Sequence, residues 1–102
     1  MLPANPIELS DETRRRRLVF RCWHRGMREV DLLLGRFADA HVPEMSRGDL
    51  ARLETLLDIP DSELLAWLTG AGRANSEDNQ RLIDAIRVFH STNPTVQDNN
   101  RS

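Results

Sequence analysis

The stretch MREVDLLLGRFADAHV, residues 27–42, decides the fold class. Val30, Leu33, Leu34, Phe37, Ala38 and His41 recur in it at the three- and four-residue spacing of one buried helical face. Arg28, Asp31, Arg36 and Asp39 fall on the opposite side. The two-residue alternation that marks a half-buried strand is absent. Pro43 stops the helix, because the residue before a proline avoids helical geometry.

Upstream, Gly26 punctuates the chain. The helix before it is expected to start at Ser10, a good N-cap, with Asp11 and Glu12 in its first turn, where acids favour the helix dipole. It runs to about Trp23 or His24, with a narrow stripe of Leu18, Val19, Cys22 and Trp23. Downstream, Ser46 and Asp49 resemble a capping box that opens a third helix along Leu50, Leu53, Leu56 and Leu57. After Pro60, Asp61 is read as the cap of a short fourth helix carrying Leu64, Leu65, Trp67 and Leu68, which Gly70 or Gly72 ends in a left-handed turn. Ser76, Glu77 and Asp78 start a fifth, whose face is Leu82, Ile83, Ile86 and Phe89. The reading is all-α: a single domain of five helices over residues 10–93, with flexible tails at 1–9 and 94–102. Short loops make consecutive helices neighbours in a small bundle.

A chain of 102 residues holds one compact core. No apolar run approaches the roughly 18 residues of a membrane span, so no membrane insertion is expected. The start, Met1 to Glu8, has neither the basic-then-apolar pattern of a secretory signal nor the acid-poor character of a transit peptide. A lone cysteine, Cys22, excludes an internal disulfide framework. The expected location is the cytoplasm of a bacterium. Charge is uneven: residues 1–28 hold seven Arg against three acids (+4), residues 29–102 seven Arg against thirteen acids (−6).

Arg14-Arg15-Arg16-Arg17 is the densest charge cluster. Successive helical residues turn by about 100°, so four in a row cannot share one face. With Arg21, Arg25 and Arg28 nearby, a small arginine-rich nucleic-acid-binding regulator is the alternative reading. The acidic pI of about 5.9 favours a solvated or protein-docking surface instead. Cys22 and His24 diverge on a helix and no second pair completes a tetrahedral set, so no metal site is expected. His41 and His90 are read as buried or half-buried histidines with one hydrogen-bond partner each. No nucleophile with a positioned base and no phosphate-cradling glycine loop is evident; the chain is read as no enzyme, with no catalytic residue and no stably bound cofactor.

That leaves Arg25-Gly26-Met27-Arg28-Glu29, between the first two helices. It reads equally as a C-cap glycine followed by an i, i+4 Arg25–Glu29 pair, or as a docking spot. In the second reading Gly26 leaves bare backbone for a partner, Arg25 and Glu29 flank it with opposite charges, and Met27 adds an adaptable apolar contact.

These residues resemble the signature of the SdhE family of FAD assembly factors, also called succinate dehydrogenase assembly factor 2. The signature Arg-Gly-x-x-Glu is matched by Arg25, Gly26 and Glu29, its fuller form by Met27 and Asp31, and a later Trp-Leu pair by Trp67-Leu68. The resemblance covers roughly residues 12–92 and departs from the usual pattern at His24, where many members carry Arg, and at Val30, where Leu is common. It implies a factor that binds the flavoprotein subunit of succinate dehydrogenase or fumarate reductase and promotes covalent attachment of that subunit's FAD; a monomer is expected. It further implies partner-binding residues Arg25, Gly26, Met27, Arg28, Glu29 and Asp31, and no nucleic-acid partner. A helical adaptor for some other client is a third reading.

Overall fold

The computed structural model of the chain describes residues 6–93, and side chains from Asp11 onward. Five α-helices follow one another: α1 Pro6–Trp23, α2 Arg28–His41, α3 Arg47–Leu56, α4 Asp61–Thr69 and α5 Glu77–Thr92, with a 3₁₀ turn Val42–Glu44 after α2. No strand occurs among the described residues. The all-α reading with five helices in their expected order therefore holds.

The ends of the elements show which signals decided. Ser46 accepts a hydrogen bond from the Asp49 amide at 3.1 Å, and Ser76 one from the Asn79 amide at 3.1 Å, so two of the expected caps are formed. Gly70 closes α4 at φ +87°. Two expected caps are not formed. Helix α1 already begins at Pro6, which puts Ser10 inside it, since a proline's fixed φ suits a first turn. Residues 6–9 thus belong to α1, while 1–5 and 94–102 lie outside the described residues. Pro60, not Asp61, occupies the N-cap of α4, and the Asp61 carboxylate is engaged elsewhere.

Helix α2 is the centre of the bundle, touching α1, α4, α5 and the 3₁₀ turn; α5 packs across α2, α3 and α4. Val30, Leu34, Phe37 and Ala38 of α2 meet Leu18 and Cys22 of α1, Leu50, Leu53 and Leu56 of α3, Leu64, Trp67 and Leu68 of α4, and Ile83 and Ile86 of α5 in one buried core. Trp67 is 7% exposed, which makes the Trp67-Leu68 pair structural. His41 is a correction: its ring is exposed, stacked on Phe37 at 4.5 Å and edge-on to Phe89 at 5.3 Å. The α2 stripe runs out at that turn, and Val42 takes the buried position. His90 is half-buried, with Nε2 2.8 Å from the Leu33 carbonyl.

One packing feature has no trace in the periodicity. The indole of Trp23, half-buried at the end of α1, lies against Gly35 in the middle of α2, where a Cβ would stand 2.2 Å from Trp23 Cδ2. Its Nε1–H donates to Asp39 Oδ1 at 3.2 Å. A mid-helix glycine costs about 1 kcal/mol relative to alanine. Here it makes room for the ring that pins α1 onto α2.

Candidate functional site

The loop of residues 24–27 joins α1 to α2. At the end of α1, His24 Nδ1 lies 2.9 Å from the Phe20 carbonyl, which only accepts, so that nitrogen carries the proton. The His24 ring stacks on Phe20 at a centroid distance of 4.1 Å. Gly26 then adopts φ +108°, which side chains of L residues rarely take, and nothing lies within 4 Å of where its Cβ would be. Met27 stands at the N-cap of α2 in extended conformation with no side-chain cap, half-buried against the core. The first turn carries Glu29 and Asp31, acids placed where the helix dipole favours them. The Asp31 carboxylate turns back to accept the Arg25 amide at 2.8 Å.

Arg25 holds this loop to another part of the chain. Its Nε donates to Asp61 Oδ1 at 2.5 Å, Nη1 to the Leu57 carbonyl at 2.6 Å and Nη2 to the Ile59 carbonyl at 2.7 Å. Its side chain is only 13% exposed. A guanidinium presents its donors in a rigid planar fork, and here the fork is met by one carboxylate and two carbonyls of the α3–α4 connection. Of the six residues singled out by sequence, two thus point inward: Arg25 and Asp31 support the loop from within. Gly26, Arg28 and Glu29 are exposed, and Met27 lies between the two groups. The Arg25–Glu29 pair expected at i, i+4 is not what forms. Arg25 lies outside the helix and its charge is met by Asp61, so the charges beside the bare glycine are those of Arg28 and Glu29.

Asp61 is the residue that sequence reasoning missed, having been read as a helix cap. A partner 36 positions away leaves no local pattern to find.

The arginine run divides as helical rotation requires. Arg14 makes a two-pronged pair with Glu54, at 2.7 and 2.8 Å, and Arg15 donates to the Val42 carbonyl at 2.7 Å. The hydrogen bond to Arg14, more than charge attraction, holds the Glu54 carboxyl below its ordinary range. Arg16 and Arg17 are exposed. Half of the run is therefore committed to internal contacts. Cys22 is fully buried, and burial pushes its thiol up to about 12, far from the thiolate that reactivity needs. Among the described residues no three His, Cys, Asp or Glu side chains converge as metal ligands, and no helix is long and apolar enough to cross a membrane. An open groove of ≈ 1060 Å³, floored by Phe37, Leu82 and Phe89, shares no residue with the loop.

Against known proteins, a family model described as the flavinator of succinate dehydrogenase, Sdh5, matches residues 16–90. The chain belongs to this family. Residues 16–90 take in the loop, the Arg25 network and the core helices, from within α1 to within α5. The family's members are assembly factors and not catalysts. The chain is 34% identical over 80 residues to the FAD assembly factor SdhE of Pseudomonas aeruginosa, covering 76% of this chain and 92% of that one. It is 47% identical over 57 residues to the FAD assembly factor SdhE of Acetobacter pasteurianus, covering 56% of this chain and 52% of the relative. To the mitochondrial succinate dehydrogenase assembly factor 2 of Yarrowia lipolytica it is 41% identical over 58 residues, 57% of this chain and 40% of the other. The chain thus spans about half the length, or less, of these last two relatives. No solved structure gives a significant match.

Proposed function

We propose that this protein binds the flavoprotein subunit of succinate dehydrogenase and promotes covalent attachment of that subunit's FAD. The observation that carries the reading is the bare Gly26 surface at φ +108°, followed two and three residues on by exposed Arg28 and Glu29, in a chain of the flavinator family. A glycine with open space above it admits a partner's backbone or a tight apolar group. Half-buried Met27 supplies an adaptable contact beneath.

Promotion then works through differential affinity. A binding protein shifts its client toward the conformer it binds better, and by no more than that difference in affinity. The factor holds the client in its attachment-competent conformer. It acts as a cytoplasmic monomer, keeps no flavin of its own, and can serve the flavoprotein of fumarate reductase as a second client. Exposed Arg16 and Arg17 add a positive field that speeds encounter without fixing the complex.

Co-expression with a succinate dehydrogenase flavoprotein subunit tests the reading. Covalent flavin, seen as in-gel fluorescence of the subunit, should rise with the factor present and stay at background without it. Equal fluorescence in both would refute the proposal.

A further inference from the structure

The first residue of the signature, Arg25, faces the protein's own interior. Its three side-chain bonds end on Asp61 and on the carbonyls of Leu57 and Ile59, none of which belongs to the signature. We propose that Arg25 and Asp61 are a positioning pair for client docking: they hold the Gly26–Glu29 surface in its binding conformation and do not touch the client. This inference rests on the docking role given above to Gly26.

Beyond Arg25, the loop is held by Met27 against the core and by His24 stacked on Phe20. No side chain caps α2 at Met27, and His24 is exposed. Gly26 has the widest conformational choice of any residue type, and it must be kept at one uncommon φ. Its two holds lie on either side of Arg25. The amide is fixed by Asp31 from within the loop's own helix, and the guanidinium is fixed by the α3–α4 connection.

That connection is a rigid anchor. The Leu57, Asp58 and Ile59 amides bond back to Leu53, Thr55 and Leu56 carbonyls at 3.0–3.1 Å, and Pro60 sets φ at −61°. The turn leaves the carbonyls of Leu57 and Ile59 to Arg25, on a segment that cannot follow the loop if the loop moves. Lysine could not replace this arginine, because an ammonium lacks the planar fork that reaches three acceptors at once. If Arg25 were instead the main client contact, it would have to act through the 13% of its side chain that is exposed, with its fork already committed to three acceptors.

The test uses the full chain and a purified succinate dehydrogenase flavoprotein subunit, with Kd measured by titration. Asp61→Ala should raise Kd about tenfold, the shift expected when a loop visits its binding conformation a tenth of the time. Arg25→Ala should do at least as much, and the double variant should be no worse than Arg25→Ala alone. Glu54→Ala, which breaks the comparable α1–α3 pair with Arg14, should leave Kd unchanged and so excludes general loss of stability as the cause. Amide exchange at Arg25 and Gly26 should quicken in Asp61→Ala while the core stays protected. Should Asp61→Ala fail to fold, Asp61→Asn carries the same test with a smaller shift. Wild-type affinity in Asp61→Ala beside weak binding in Arg25→Ala would make Arg25 the contact and overturn the proposal. Failure of the wild-type chain to bind the subunit would instead overturn the docking reading. Unchanged loop exchange in Asp61→Ala, with wild-type binding intact, sinks the positioning role alone.

Discussion

Gly26 has nothing within 4 Å of where a Cβ would stand, whereas a Cβ on Gly35 would lie 2.2 Å from the indole of Trp23. Gly26 is at φ +108° in a loop; Gly35 is in the middle of a helix with ordinary φ. The first glycine is required by the backbone and leaves space open to the outside. The second is required by a neighbour inside the chain, which has already filled the space. A missing side chain leaves room for a partner only in the first circumstance, so the structure separates two positions that a sequence shows identically.

The largest effect should come from filling the open space. Gly26→Arg should abolish complex formation and covalent flavin in the co-expression assay while circular dichroism shows the helices intact. The strain of an uncommon backbone conformation costs about 1–3 kcal/mol, which a folded domain can survive. Gly26→Asn sharpens the point, since asparagine tolerates positive φ better and is smaller. If the space matters, binding should fall less than in Gly26→Arg. Equal loss in both would shift the explanation from space to strain.

Gly35→Ala should act on stability and not on docking. Overpacking costs about 1–3 kcal/mol, and the better helix propensity of alanine returns about 1 kcal/mol. A lowered Tm with altered Trp fluorescence, and normal client affinity once folded, is the expected result. In a Trp23→Ala background the same substitution should no longer destabilise. Persistent destabilisation there would show that Trp23 is not the reason for Gly35.

Smaller again is Glu29→Ala, which removes an exposed charge beside Gly26. Client affinity should drop by about tenfold, or 1.4 kcal/mol, while stability stays within about 0.5 kcal/mol. Unaltered affinity would confine the docking surface to Gly26, Met27 and Arg28. The smallest effect lies away from both glycines, at Glu54, whose carboxyl is held below its ordinary value by Arg14. A depressed carboxyl contributes stability above its unfolded pKa, about 4.3, and loses it as pH falls through the lower folded value. Glu54→Gln should therefore be less stable than wild type at neutral pH by about 1 kcal/mol or less, the gap closing below about pH 4. A constant gap across that range would mean the carboxylate is not the source.

The fold was legible because its signals are local. The stripe of Val30, Leu34, Phe37 and Ala38 repeats within one helix, and Ser46 and Ser76 cap amides three residues on. The position of the candidate loop was legible for the same reason: Gly26 stands between two periodic segments. The roles inside it were not. Arg25 looks like one more surface arginine until the chain brings Leu57, Ile59 and Asp61 beneath it. Trp23 was likewise read singly, as part of a stripe, and Gly35 drew no reading at all. His41 failed for a different reason. It keeps the helical spacing, but there the edge of Phe89 on α5 meets its ring without covering it, and the ring stays exposed.

The bonds of Arg25 reach across 32 to 36 residues of chain. Chains are made N-terminus first, so α1 and α2 are synthesised before Asp61 is added. The loop between them is short in sequence but is finished by residues made later, after α3 has formed and turned. A chain that carries both flanking helices but not the α3–α4 connection lacks the acceptors that fix Arg25. On the docking role proposed above, recognition would read out completion of the bundle, because an unfinished fold leaves the loop without its anchor.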